Sequence, residues 1–151
     1  MEKKIRSAWK EHHYLFLWLV RELKPMIIVD LGVDKVFSSF IFASQKMGRV
    51  IGIDSFMREN LKKKKIEDSN PCVRNKKIME KKFGIHNVTF IKGMFSDVVK
   101  KWKIPIDILY IDGTYTYDGV KEDYQNWSKF LKQEKPKSKI FFLLMKVMLY
   151  Q

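Results

Sequence analysis

IIVDLGVDKVFSSFIFA, residues 27–43, is the stretch that decides the fold. The run Met26 to Leu31 is apolar apart from Asp30, a pattern suited to a strand covered on both faces. Gly32 breaks it, and the apolar segment from Phe37 to Met47 has the length of a helix, which Gly48 ends. Arg49 to Asp54, with VIGID at its heart, reads as a second short buried strand. Strand, helix and strand in this order imply a right-handed parallel unit.

The alternation continues in both directions. Upstream, Ser7 can cap a helix that runs to Leu23 and stops at Lys24-Pro25, with Ala8, Trp9, Leu15, Trp18, Leu19 and Leu23 as its packed face. Downstream, Ser69-Asn70-Pro71 can start a helix ending near Phe83-Gly84, and Val88 to Lys92 forms a third strand. Ser96 to Trp102 reads as a short helix and Ile106 to Ile111 as a fourth buried strand. Tyr117 to Leu131 reads as an amphipathic helix that packs through Val120, Tyr124, Trp127 and Leu131. The apolar run Ile140 to Tyr150 supplies a fifth strand or a terminal helix. The expectation is one α/β domain over residues 1–151: a packing helix in 1–25, then a Rossmann-like three-layer αβα core in 26–151, with a mostly parallel sheet of about five strands.

Composition narrows the setting. Hydrophobic residues at 46% and charged residues at 31% are a globular balance. The 30 Lys+Arg against 17 Asp+Glu give a net charge of +13, a field that favours polyanions, acidic membrane surfaces or phosphorylated substrates. Most of the basic residues are Lys spread through helices and turns, which a biased genome also supplies. The single Cys72 excludes an internal disulfide and a multi-cysteine zinc site, and it reads as a small packed residue in a reducing compartment. The adjacent His12 and His13 point about 100° apart on a helix and read as a solvated or half-buried pair. No secretory signal stands at the start, and the apolar run Tyr14 to Val20 is too short to span a bilayer, so the reading is cytoplasmic with no membrane partner.

The chemistry sits at the ends of the strands. Asp30 closes the first, Asp54 the second and Asp112 the fourth, and parallel α/β sheets bind ligands beyond these carboxyl ends. Gly32 permits close backbone approach, and the helix behind it offers amide donors. Asp54 follows Gly32 by about 22 residues, a spacing at which an acid can accept from ribose hydroxyls.

These segments, together with FIKG at 90–93 and IDILYIDGTYTYDGVKEDYQNW at 106–127, resemble class I S-adenosylmethionine-dependent methyltransferases, in particular the methyltransferase domain 24 type. That group is similar to sugar and small-molecule O-methyltransferases. The likeness spans most of residues 8–131 and is most specific at Asp112, Gly113, Tyr117, Val120 and Asp123. It implies S-adenosylmethionine as cofactor, with Asp30 and Gly32 at its methionine end, Asp54 and Ser55 at its ribose, and Gly93 and Met94 beside its adenine. It places Asp112 and Tyr115 at the reactive centre, with Asp112 as a ligand to a Mg2+ ion that orients the acceptor hydroxyl. A sugar or other small hydroxylated acceptor, and a homodimer, belong to the same expectation. The chain departs from the family pattern in three places: Val36 replaces the second glycine of the first loop, Tyr115 the usual histidine, and Lys137-Ser138 a Gly-Gly pair. A phenol with its ordinary pKa near 10 is a poor base at neutral pH. The chain also stops where relatives add further strands and acids. The resemblance therefore implies either a minimal enzyme or a truncated, catalytically impaired one.

Two readings of other classes compete. Lys62 to Lys65, Arg74 to Lys77 and Lys81-Lys82 could form the phosphate-contacting face of a nucleic-acid-binding module, though no base-reading motif accompanies them. A non-catalytic adenine-nucleotide binder, such as a dehydrogenase-like domain, fits less well, because the loop holds one glycine where the dinucleotide fingerprint has three.

Overall fold

A computed structural model of the chain describes residues 13–34, 36–56, 71–113 and 116–132. Four short strands form its centre: β1 (Ile27–Leu31), β2 (Arg49–Asp54), β3 (Val88–Lys92) and β4 (Ile108–Ile111). They lie in the order β3-β2-β1-β4, and every neighbouring pair is parallel. β1 is central, with Asp30 in register with Gly52 on one side and Tyr110 on the other. Successive strand side chains point to opposite faces, and both faces are covered, which is why the strands read as continuous apolar runs.

On one face Ile28, Val50, Val88, Ile108 and Tyr110 meet α1 (His13–Leu23), α2 (Phe37–Ser44) and Met79 of α3 (Pro71–Phe83). Phe16, Phe42 and Tyr110 close-pack there with ring centroids 4.9 to 5.6 Å apart, each such pair worth about 0.5–1.5 kcal/mol beyond its buried area. On the other face Val29, Leu31, Ile51, Ile53, Leu109 and Ile111 meet Val99, Trp102 and Trp127. Those three come from the helical turn that follows α4 (Phe95–Val98) and from α5 (Tyr117–Trp127). Trp127 is fully buried and packs edge-on to Trp102 at 5.1 Å. Thr116 caps α5, its Oγ1 accepting from Gly119 N at 3.2 Å. The result is the expected three-layer α/β arrangement around a parallel sheet, with four described strands.

The sequence expectations differ from the structure in detail. Phe16, Leu19 and Val20 are the fully buried residues of α1, with Leu15 and Leu23 packed against the core as expected, whereas Trp18 is 52% exposed. This helix is apolar nearly all round, so its composition does not single out the face, and the i, i+3, i+4 stripe that reaches the sheet excludes Trp18. α2 ends at Ser44, three residues earlier than expected, where Lys46 turns to positive φ. β4 begins at Ile108, with Ile106 instead bridging Leu131 in parallel. The Ser7 cap, Ala8, Trp9 and His12, the Lys62–Lys65 run, Tyr115, Lys137-Ser138 and the Ile140–Tyr150 strand lie outside the described residues, as does the side chain of Cys72.

Candidate functional site

The sheet brings Asp30, Asp54 and Asp112 to one end. Asp30 is the last but one residue of β1 and completely buried. Its Oδ2 accepts from Ser38 Oγ at 2.8 Å and Ser39 Oγ at 2.5 Å, both in the first turn of α2. Its Oδ1 is buried and has no hydrogen-bond partner. Burial raises the Asp30 pKa from 3.8 to about 7; the two serine hydroxyls act against this, and the nearby charges of Asp112 and Asp54 add to it. Tyr110, beside Asp30 on β4, is buried, and burial next to Asp112 and Asp30 keeps its hydroxyl protonated.

The loops beyond the strands interlock. Gly32 holds φ at +96°, and a Cβ there would lie 2.5 Å from the backbone carbon and oxygen of Asp112 and from the Cα of Gly113. Its missing side chain therefore serves the packing of the β1 turn on the β4 turn. Gly113 in turn lies under the ring of Phe95, which a Cβ there would strike. Asp112 N donates to Leu31 O at 2.7 Å, Gly32 N to Ile53 O at 2.9 Å and Gly93 N to Asp54 O at 3.0 Å. These bonds carry the ladder one residue past β1, β3 and β4 and fix all four turns relative to one another.

Asp54 works within this frame. Its Oδ2 accepts from Asp34 N at 3.1 Å and its Oδ1 from Phe56 N at 2.8 Å, so one carboxylate organises the turns after β1 and β2. Ser55 is half-buried between them, and Asp112 is half-buried at the end of β4. Met94 caps α4 and is exposed at the same end of the sheet as Gly93.

Val36 answers the question its substitution for glycine raises. It takes φ +70° and ψ 13°, the left-handed region, while its side chain is buried in the core beneath α2. The turn keeps a glycine-like shape, the branched side chain packs into the core, and burial worth about 1.5–3 kcal/mol for a valine offsets backbone strain of about 1–3 kcal/mol. Among the described residues, no group of three His, Cys, Asp or Glu side chains is arranged to hold a metal ion. The Mg2+ expected at Asp112 therefore finds no support.

Sequence reasoning missed Ser38, Ser39, Tyr110 and Phe95. The two serines had a visible signal, as adjacent hydroxyls at the start of an otherwise apolar helix that follows an acid-ended strand. Tyr110 and Phe95 had none, since their roles depend on contacts between distant segments.

Residues 29–136, most of the chain, match the model of the methyltransferase domain family, and the chain belongs to that family. Solved structures share the fold at low identity. The O-methyltransferase TomG from Streptomyces achromogenes, involved in tomaymycin synthesis and solved with S-adenosylmethionine, is 18% identical with a TM-score of 0.61, over 85% of this chain and 53% of that one. An O-methyltransferase from Bacillus cereus solved with S-adenosylhomocysteine is 14% identical with a TM-score of 0.62, over 85% and 54%. Podospora anserina methyltransferase PaMTH1, also bound to S-adenosylhomocysteine, is 16% identical with a TM-score of 0.59, over 86% and 51%. The uncharacterized protein y4gI of Sinorhizobium fredii is 27% identical over 145 residues, which are 90% of this chain and 15% of that protein. The chain thus spans about half the length of these solved structures and a much smaller share of y4gI. No helix among the described residues is long and apolar enough to cross a membrane.

Proposed function

We propose that the chain binds S-adenosylmethionine at the carboxyl end of its sheet and directs methyl transfer to a hydroxyl of a small acceptor such as a sugar. The observation that carries this reading is the unpartnered, fully buried Oδ1 of Asp30 behind a turn locked to Asp54 and Asp112. A buried polar atom without a partner is costly, and a ligand group that completes it recovers that loss. The residues present suit the cofactor. Asp30 and the Gly32 turn would hold its methionine end, and Asp54 with Ser55 its ribose. Gly93 and Met94 would flank its adenine. The core-directed side chain of Val36 supports the fit, because it is spent on packing.

When bound, the cofactor supplies a methyl group already activated on a sulfonium. The protein's own tasks are alignment and proton removal. Asp112, half-buried and tied through its backbone to β1, would orient the acceptor hydroxyl and receive its proton as the oxygen takes up the methyl. Tyr115 belongs to the same proposal as a neighbouring hydroxyl, and a cytoplasmic setting and a homodimer remain part of it.

Calorimetry with S-adenosylhomocysteine tests the reading. One site per chain is expected, weakened about 10- to 100-fold by Asp54→Ala, in line with losing hydrogen bonds to a charged group. No heat and no thermal shift at millimolar ligand would sink it.

A further inference from the structure

The opposite end of the sheet has a different character. All four strands are parallel, so the helices between them finish at the strands' amino ends. Each finishes on an exposed cation: Lys24 after α1, Lys46 after α2, Lys82 in α3, Lys101 in the turn after α4, and Lys129 after α5. Cations at helix C-termini favour the helix dipole whatever they face, so charge alone does not mark a surface. Here four large apolar side chains stand exposed among them: Met26, Met47, Phe83 and Ile104, with Met26 the most open at 70%.

Hydrogen bonds join these positions into one surface. Arg49 N donates to Met26 O at 2.8 Å, which sets the Met47 turn against Met26. Asn87 Nδ2 donates to Gly48 O at 2.9 Å and brings in the turn after Phe83. Asp107 Oδ2 accepts from Met26 N at 3.0 Å and Ile27 N at 2.8 Å, bringing in the segment that carries Ile104. The Asp107 charge is met by Lys132 at 2.8 Å.

We propose that this end is a docking surface for an anionic lipid bilayer, on which the protein rests without crossing it. Lysines around apolar side chains suit the boundary between charged headgroups and acyl chains. A nucleic-acid surface would instead call for stacking aromatics, and here three of the four apolar side chains are aliphatic, while the lysines outnumber the two arginines of this end, Arg21 and Arg49. The carboxylates Asp54 and Asp112 lie at the other end of the sheet.

Co-sedimentation of the full chain with vesicles tests this, comparing phosphatidylcholine alone with a mixture containing about one-third phosphatidylserine. Binding is expected to the anionic vesicles alone and to weaken as salt rises. Lys46→Glu/Lys82→Glu should reduce it by tenfold or more, given about fivefold for each lysine removed. Met26→Ser/Met47→Ser should also reduce it, and melting curves should show both variants folded. Failure to bind anionic vesicles at low salt overturns the proposal. So does binding that ignores the methionine variant while an RNA duplex binds as tightly, which would assign the lysines to phosphate backbones.

Discussion

Positive φ angles occur at both ends of the sheet, yet they mean different things. At the amino end Lys24, Lys46 and Gly84 follow the last turns of α1, α2 and α3, where a left-handed residue ordinarily closes a helix. At the carboxyl end Gly32, Asp34, Val36 and Phe56 take positive φ in turns that leave strands, where no helix is ending. Three of those four carry side chains, as do Lys24 and Lys46 at the amino end, so what separates the ends is that the carboxyl-end residues take this backbone without a helix terminus to close. Backbone strain of this kind persists where surrounding contacts over-determine it, and it gathers at functional sites. The two ends also differ in how their acids are used. Asp107 anchors backbone amides and a lysine, whereas Asp30 is buried with one oxygen left unpartnered.

The hardest test of this contrast is Gly32→Ala. A Cβ at φ +96° would strike the Asp112–Gly113 backbone, and neither backbone can move without breaking the ladder. A loss of about 4 kcal/mol or more is expected, seen as a melting temperature at least about 10 °C lower. A shift of only a degree or two would show that the turns are not interlocked.

Next comes pH. Asp30 retains its proton in the folded chain up to about pH 7, while the unfolded chain releases it near 3.8. Within that window the folded state holds more protons, so stability should fall as pH rises from about 4 to about 7, by at most about 4 kcal/mol, and level off above. Asp30→Asn copies the protonated shape and can still accept from Ser38 and Ser39, so its denaturant midpoints should lose this slope. A slope equal to that of the parent chain would place the titration elsewhere.

The smallest effect belongs to the amino end. Asp107→Ala removes two backbone acceptor contacts and the Lys132 ion pair, and should cost about 1–3 kcal/mol in denaturant unfolding. It should leave S-adenosylhomocysteine affinity unchanged, and a large change in affinity would erase the distinction between the ends.

Much of this was legible in the sequence. Apolar runs located all four described strands, because both faces of the sheet are covered, and the acids expected at strand ends do gather at one end of it. The helix faces were less clear: α1 is apolar nearly all round, and Trp18 looked like core until the sheet took Phe16, Leu19 and Val20. The glycine missing at Val36 signalled an unusual turn, but which way the valine side chain points follows from packing alone. The fit of Gly32 against Asp112, and of Phe95 over Gly113, arises from meetings between distant segments that no local pattern records.

The Gly32 contact also bears on the order of assembly. Its partner backbone lies about eighty residues further along the chain, so β1, β2 and β3 can pair before the turn after β1 has anything to rest on. That turn gains its support only when β4, emerging last from the ribosome among the four strands, docks on the far side of β1. Competence to hold a ligand should therefore be acquired late and all at once, with the final strand acting as the latch.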